Sequence, residues 1–506
     1  MLILSPEEIR NAEADANKNG LSYETMMESA GMGCAEHIIK NYPHSRNTVI
    51  LCGKGKNGGD GFVIARALSD AGKCVSVILA FNSPSDELSE KNKARIDGVV
   101  SIYDGSTVTK KISSLIENAD IIVDAVFGIG FKGELPDNVK GLFELTNASA
   151  AAKIAVDIPS GLSCDGENTE QCFRADETLS MLCFKKEHIY KPFSDICGKV
   201  SVIPIGFNCE QTKGVNAATL EEIKALLPCR PYNANKGTFG KALIAAGSYK
   251  MPGAAVIAAK GALTSGAGLT CLAFPDSIYA SVTSKLSECV FIPLPSDKIG
   301  EMSETVTEAF STGYNTYSAV AIGPGLSVSD GAKALLLSLL SNFEGKLIID
   351  ADGINILSRN INVLKDSNPD ILITPHPGEF SRLTGLSVSE INTNRTEHAA
   401  GFAREHGVTI LLKGENTVIA APDGRVHINP TGCSALARGG SGDLLTGITV
   451  SLAAQGLDLY DAAVAGAYIH GLAGEIAQNK YTSYCATVER IYKCIPEALS
   501  QIIEGK

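Results

Sequence analysis

Short apolar runs recur along the chain, each followed by a stretch in which apolar residues return every third or fourth position. The runs have the pattern of strands buried on both faces, and the stretches that of helices with one buried stripe. TVILCG, CVSVILAF, DIIVDAVFG and KIAVDIPSG carry the β-branched enrichment of parallel strands, and GFVIARALSDAG has helical spacing. SYETMMESAGMGCAEHIIKNY precedes them as a helix with Ser22 as its N-cap. This alternation predicts a doubly wound parallel sheet.

Near residues 208 to 235 the pattern relaxes into NCEQTKGVNAATLEEIKALLPCRPYNANKG, where a domain boundary is placed. A second series follows, with KALIAAGS, GLTCLAF, YSAVAIGPG, GKLIIDADG, DILITPHPGE and VTILLKG as strands and MPGAAVIAAKGALTS as a helix between them. It predicts a second, larger α/β sandwich. No repeat period of about 20 to 50 residues recurs, so the two domains differ.

A length of 506 residues fits two or three domains, and 44% hydrophobic with 20% charged residues fits packed α/β layers. A net charge of -12 without a basic run argues against nucleic acid as a partner and for small molecules. No signal peptide and no long uninterrupted apolar run is seen, so no membrane segment is expected. The 14 cysteines are scattered and none forms C-x-x-C, which implies a reducing cytoplasm. Clustered thiolates and imidazoles, which zinc needs, are not found.

GKGKNGGDG, residues 53 to 61, lies between a strand and a helix and satisfies G-x-G-x-x-G. An ordinary NAD-dependent oxidoreductase would place an acid at the tip of the next strand, which here ends LAFNSP. What stands out instead is a loop with Asn57, Gly58, Gly59 and Asp60, then Asp124, Asp157 and Ser160 at successive strand ends. Each acid alone could cap a helix. Together at the ligand-binding edge of a sheet they can hold a hard cation or move a proton.

KNGGDG, VDAVFGIGFKGE and VDIPSG together resemble the N-terminal domain of the bifunctional NAD(P)H-hydrate repair enzymes. That family reads Asn-Asn-Gly-Gly-Asp, and Lys56 stands here in place of the first Asn. The resemblance implies a potassium ion on Asn57, Asp124 and Ser160. It also implies a hydrated nicotinamide nucleotide against Lys56, Asn57, Gly58, Gly59, Asp60, Gly128, Ile129, Gly130, Phe131, Lys132, Gly133, Glu134 and Asp157. Epimerisation at C6 needs the ring to open or lose its proton reversibly, and Asp124 is expected to carry that proton.

NPTGCSALARGGSGDLLTG, residues 429 to 447, ends in the G-x-G-D signature of ribokinase-like kinases, and no P-loop lysine pattern occurs. With GSYKMPGAA, SGAGL, GPGL, TPHPGE and LLKGENT in order, it resembles the C-terminal domain of the same repair family. The amides of Gly439, Gly440, Ser441 and Gly442 would then grip a phosphoryl group while Asp443 takes a proton from the substrate hydroxyl. Lys413, Gly414, Glu415, Asn416 and Thr417 would meet the nucleotide, and Ala254, Gly325, His376 and Asp443 the hydrated substrate. Ser327, Cys433 and Ser434 depart from the family's G-P-G-L-G and T-G-N-P.

The expectation is therefore an α/β protein of two domains. Residues 1–212 would form a Rossmann-like NAD(P)HX epimerase and residues 218–506 a ribokinase-like, ADP-dependent NAD(P)HX dehydratase. ADP, K+ and Mg2+ are the expected cofactors, NADHX and NADPHX the substrates, and a cytoplasmic homo-oligomer the form. Two other readings are a ribokinase-like kinase of a vitamin or sugar alcohol, and a scaffold built on the first domain. A scaffold has no need of Asp60, Asp124 and Asp157.

Overall fold

The computed structural model describes residues 1–162, 171–189, 193–209, 214–310 and 313–505. The chain forms two compact units, Met1–Gly214 and Val215–Lys506. The expected end of the first domain, at residue 212, lies outside the described residues.

The sheet of the first unit is parallel throughout. Its spatial order is Ser101–Asp104, Cys74–Leu79, Asn47–Cys52, Ile121–Ala125, Ala152–Val156, Glu177–Met181 and Lys199–Ile203. From Asn47–Cys52 the chain steps one way for two strands and then crosses to the other side. The tips of Asn47–Cys52 and Ile121–Ala125 thus flank a topological switch point, where an open sheet leaves a crevice. Leu51 is in register with Asp124, and Asp124 with Ala155. Ser22 caps helix Tyr23–Asn41 by accepting from Thr25 N–H at 3.1 Å.

The sequence pattern missed three strands here. Ser101–Asp104 and Lys199–Ile203 are edge strands of mixed polarity, and Glu177–Met181 carries the buried polar residues Glu177, Thr178 and Ser180. One expectation changes as well. Asn57 to Asp60 are not a loop but the first turn of helix Lys56–Asp70, whose N-cap is Gly55.

In the second unit the sheet runs Val215–Ala217, Val426–Ile428, Val418–Ala420, Thr409–Leu412, Asp370–Ile373, Lys346–Ile349, Ala319–Ile322, Lys241–Ala245, Leu269–Pro275, Val290–Leu294. Val418–Ala420 is antiparallel to both neighbours, and the other pairings are parallel. Lys241–Ala245 and Ala319–Ile322 form its switch point. The strands absent from the sequence reading are those of three residues and Val290–Leu294, which holds Pro293. Proline suits the sheet edge this strand occupies.

Helices Pro252–Thr264, Ser441–Ala454 and Leu459–Cys485 cover this sheet. Added Cβ atoms at Gly447 and Gly261 would lie 2.0 Å from the Ala258 carbonyl oxygen and 2.6 Å from that of Leu444. Glycine at both positions lets the first two helices pack backbone to backbone.

Candidate active site

A cavity of about 660 Å³ opens beside the first switch point. Its wall includes Lys56, Asn57, Asp60, Gly128 to Lys132, Glu134 and Asp157, so most of the predicted binding residues meet there. Phe127 and Phe131, with ring centroids 4.4 Å apart, add an apolar face. Gly58 and Gly59 are buried behind the wall, and Gly133 faces a smaller adjoining hollow.

Asp124, Ser160 and Asn57 also converge. Asp124 accepts from the Ser160 hydroxyl and backbone N–H, both at 2.7 Å, and from Val126 N–H at 3.1 Å. Ser160 and Asn57 both donate to the Phe127 carbonyl, at 3.1 and 3.0 Å. Burial pushes the Asp124 carboxyl up to about 6 against the bonds from Ser160 and Val126. Asp124 has no exposed surface and is absent from the cavity wall. The proton-carrying role expected of it therefore finds no contact with the cavity, for the physical reason that the carboxylate faces the turn beneath.

Asp157 does face the cavity. Its Oδ1 accepts from Lys185 Nζ at 2.5 Å and its Oδ2 from Ile129 N–H at 3.3 Å. Burial would raise its carboxyl, but the Lys185 ammonium outweighs burial and holds it below the ordinary range. Asp60 shows the opposite balance, since burial and then the charges of Asp157 and Glu13 push it well up. The cavity so sets a carboxyl lowered by a buried lysine beside one raised by burial, and environments that push two acids apart suit acid–base work. Lys185 gave no signal in the sequence. It follows a strand that was not recognised.

In the second unit, Asp443 is the third residue of helix Ser441–Ala454. The N-cap is Gly440, in the left-handed region at φ 89°, with no side-chain cap bond. Asp443 thus does not cap its own helix; Ser441 N–H donates to the Arg438 carbonyl at 3.3 Å, and among the described residues the N–H groups of Gly442 and Asp443 have no partner and can meet an anion. Among the described residues its carboxylate accepts no hydrogen bond. Burial, then the charge of Asp350, pushes it up to about 6.

Lys413 reaches this turn, for a Cβ on Gly442 would lie 3.4 Å from Lys413 Nζ. The ammonium donates to Asp350 at 2.7 Å and lies 3.8 Å from Glu379. Burial would lower its pKa, but Asp350 and Glu379 overcome that and raise it. Asp350 also accepts from Thr374 at 2.8 Å and Thr446 at 2.7 Å, tying three strand ends to the Asp443 helix. Arg395 donates to the carbonyls of Leu412, Lys413 and Glu415 at 2.8 to 3.0 Å and so braces the loop through Gly414 to Thr417. Asp350 and Arg395 were not singled out from the sequence. Asp350 follows the strand in GKLIIDADG and was legible by the rule that picked out Asp124, whereas Arg395 begins helix Arg395–His406, away from any strand end.

His376 behaves differently from the expectation of a substrate contact alone. Its Nδ1 accepts from Gly378 and Glu379 N–H at 3.0 and 3.4 Å, while Glu379 accepts from His376 N–H at 2.8 Å, which closes a capping box. Nε2 lies 3.5 Å from the other Glu379 carboxylate oxygen, so both ring nitrogens face Glu379. Ala254 and Gly325 meet at the switch point, where a Cβ on Gly325 would stand 2.6 Å from that of Ala254. Ser327, where the family has glycine, keeps a left-handed φ of 67° and is held by Asp352 and Glu301 at 2.8 and 2.7 Å.

A family model described as NAD(P)H-hydrate dehydratase matches residues 242–497, and one described as YjeF-related protein N-terminus matches residues 23–187. The chain is 35% identical over 468 residues to the bifunctional NAD(P)H-hydrate repair enzyme Nnr of Moorella thermoacetica, covering 90% of this chain and 88% of that one. To the enzyme of the same name from Dictyoglomus turgidum it is 30% identical over 518 residues, covering 100% of each. The ADP/ATP-dependent NAD(P)H-hydrate dehydratase from Bacillus subtilis, co-crystallised with ATP/Mg2+, is 31% identical with a TM-score of 0.50, covering 57% of this chain and 99% of that one. A ribokinase-like superfamily protein from Enterococcus faecalis, 24% identical with a TM-score of 0.50, shares the fold over 58% of this chain and 99% of its own.

Proposed function

The chain belongs to the bifunctional NAD(P)H-hydrate repair enzymes, and from that premise we propose which residues carry each of its two activities. It is an NAD(P)H-hydrate epimerase and dehydratase with a Rossmann-like first unit and a ribokinase-like second unit. The kinase and scaffold readings give way to it.

In the second unit, the amides at Gly439 to Gly442 and the Lys413 ammonium hold the phosphates of ADP. Asp443 removes the proton of the C6 hydroxyl, whose oxygen bonds to the terminal phosphorus as the bridge to AMP breaks. The new ester then loses phosphate. The C6–O electrons leave with it, the C5 proton follows, and the nicotinamide double bond returns. The observation that carries this reading is Asp443 itself, an uncapped carboxylate at an open helix N-terminus beside a lysine. Mg2+ accompanies the nucleotide and would offset its phosphate charge.

In the first unit, Asp157 in place of Asp124 takes the C6 hydroxyl proton. The C6–N1 bond opens, C6 becomes an aldehyde carbon, and N1 re-adds to its other face as the proton returns. Nothing is consumed. The oxygen-rich set of Asn57, Asp124 and Ser160 fits a hard monovalent cation, because the fully buried Asp124 carboxylate would gain a counter-charge. Bound K+ would supply that charge and brace the two turns. The cysteines described are free thiols, mostly buried, which fits the cytoplasm we assign.

The test is incubation of NADHX with ADP and Mg2+, followed by the absorbance of restored NADH and by free phosphate. Asp443→Asn is expected to abolish both signals with the fold intact. Full activity in that variant would overturn the assignment of the base.

A further inference from the structure

Asp157 sits in a cage that a simple binding residue does not need. Its backbone is in the left-handed region at φ 71°, which is uncommon for a residue other than glycine. Such strain persists only where the surroundings enforce it. Here they are Lys185 and His188. Lys185, only 1% exposed, has three acceptors for its three ammonium protons, namely Asp157 Oδ1 at 2.5 Å, Ser180 Oγ at 2.8 Å and the Met181 carbonyl at 2.7 Å. His188 Nδ1 accepts from Lys185 N–H at 3.1 Å, so Nε2 carries the hydrogen and donates to the Asp157 carbonyl at 3.0 Å. The ring joins the strained carbonyl to the backbone of the lysine.

With all its protons taken by protein, Lys185 has none to offer a substrate. Its effect falls on one oxygen of Asp157. The other oxygen lies against the Gly128–Ile129 backbone that lines the cavity. We propose that Lys185, locked in place by His188 and Ser180, is a positioning residue for epimerisation that pins one oxygen of Asp157 and aims the other at the hydrated ring. The inference rests on the epimerase reading of this cavity and adds to it residues that neither strand ends nor glycine patterns mark.

The experiment uses the full chain without ADP, so that the dehydratase is idle, and follows conversion of purified (R)-NADHX to its S epimer by chromatography. Failure of the unaltered chain to interconvert the epimers removes the epimerase reading itself. With an active parent, Lys185→Ala is expected to lower kcat at least ~100-fold, with KM within about threefold, since positioning acts on the proton-transfer step. Added methylammonium, which fits the space vacated, is expected to restore rate. In an Asp157→Asn background the same change is expected to cost nothing further. An unchanged kcat, a loss that methylammonium leaves untouched, or a loss that adds to that of Asp157→Asn overturns the proposal. Should Lys185→Ala lose its near-ultraviolet circular dichroism, the His188 pair decides. Gln can accept and donate as the imidazole does and is expected to keep kcat, whereas Leu is expected to lose it, and equal rates overturn the proposal.

Discussion

Asp443 shows how one carboxylate couples activity to stability. Its carboxyl stands at about 6 in the folded chain against about 3.9 when unfolded. Because the folded value is raised, the ionised form costs stability. That cost is absent below about pH 4, grows as pH rises through about 6, and is complete above it. Asp443→Asn is thus expected to raise the melting temperature at about pH 8, by the equivalent of roughly 1–3 kcal/mol, and to change little at about pH 4. A variant no more stable at pH 8 would show that the carboxylate is not desolvated. Dehydratase kcat/KM of the parent is likewise expected to fall below about pH 6 as the base protonates. The chemical identity of this residue was legible from G-x-G-D. Its titration was not, because burial and Asp350 come from the tertiary structure.

At the scale of elements, close packing of two helices sets the position of that base. Helix Ser441–Ala454 carries Asp443 and lies against Pro252–Thr264, which carries Ala254, with Gly447 and Gly261 at the crossing. Gly447→Val would force its side chain into the Ala258 carbonyl and separate them. Dehydratase activity is expected to fall at least ~100-fold, since small misplacements of catalytic groups have that effect. Epimerisation, measured on the same preparation, is expected to stay within twofold, roughly the scatter of independent sites. In the first unit the turns holding Asn57, Asp124 and Ser160 predict that K+ raises the melting temperature over Na+ at equal ionic strength. Asp124→Asn is expected to abolish that difference, and an unchanged difference would remove Asp124 from the cation site. Long apolar strands were legible as elements. Three-residue strands such as Val418–Ala420 were not, since so few positions show no periodicity.

Over the whole molecule the net charge is -12, yet the first cavity has four exposed cations, Arg10, Lys54, Lys56 and Lys132, against one exposed acid, Glu134, in its wall. None forms an ion pair among the described residues. Lys54 and Lys56 instead lie over the rings of Phe81 and Tyr23 at 5.4 and 4.7 Å. An anionic dinucleotide would be drawn to that wall against the field of the remaining surface. Epimerase kcat/KM is therefore expected to fall as ionic strength rises past ~0.1 M, where the screening length drops to about 10 Å. A flat salt dependence would show that the wall does not steer the substrate.

The sequence alone determined the two alternating series of strands and helices, the position of both glycine turns at helix starts, and the acids at successive strand tips. Each of these is local, because strand and helix periods and turn chemistry are written in adjacent residues. Only the tertiary structure decided which acid meets the cavity and which is buried under it, since that depends on side-chain direction within one turn. It also decided the partners Lys185, Asp350 and Arg395, whose ties to the sites run between separate elements, 17 to 96 residues apart in the chain. No spacing rule connects such residues, for it is the pairing of neighbouring strands, with the helices between them, that brings their ends together.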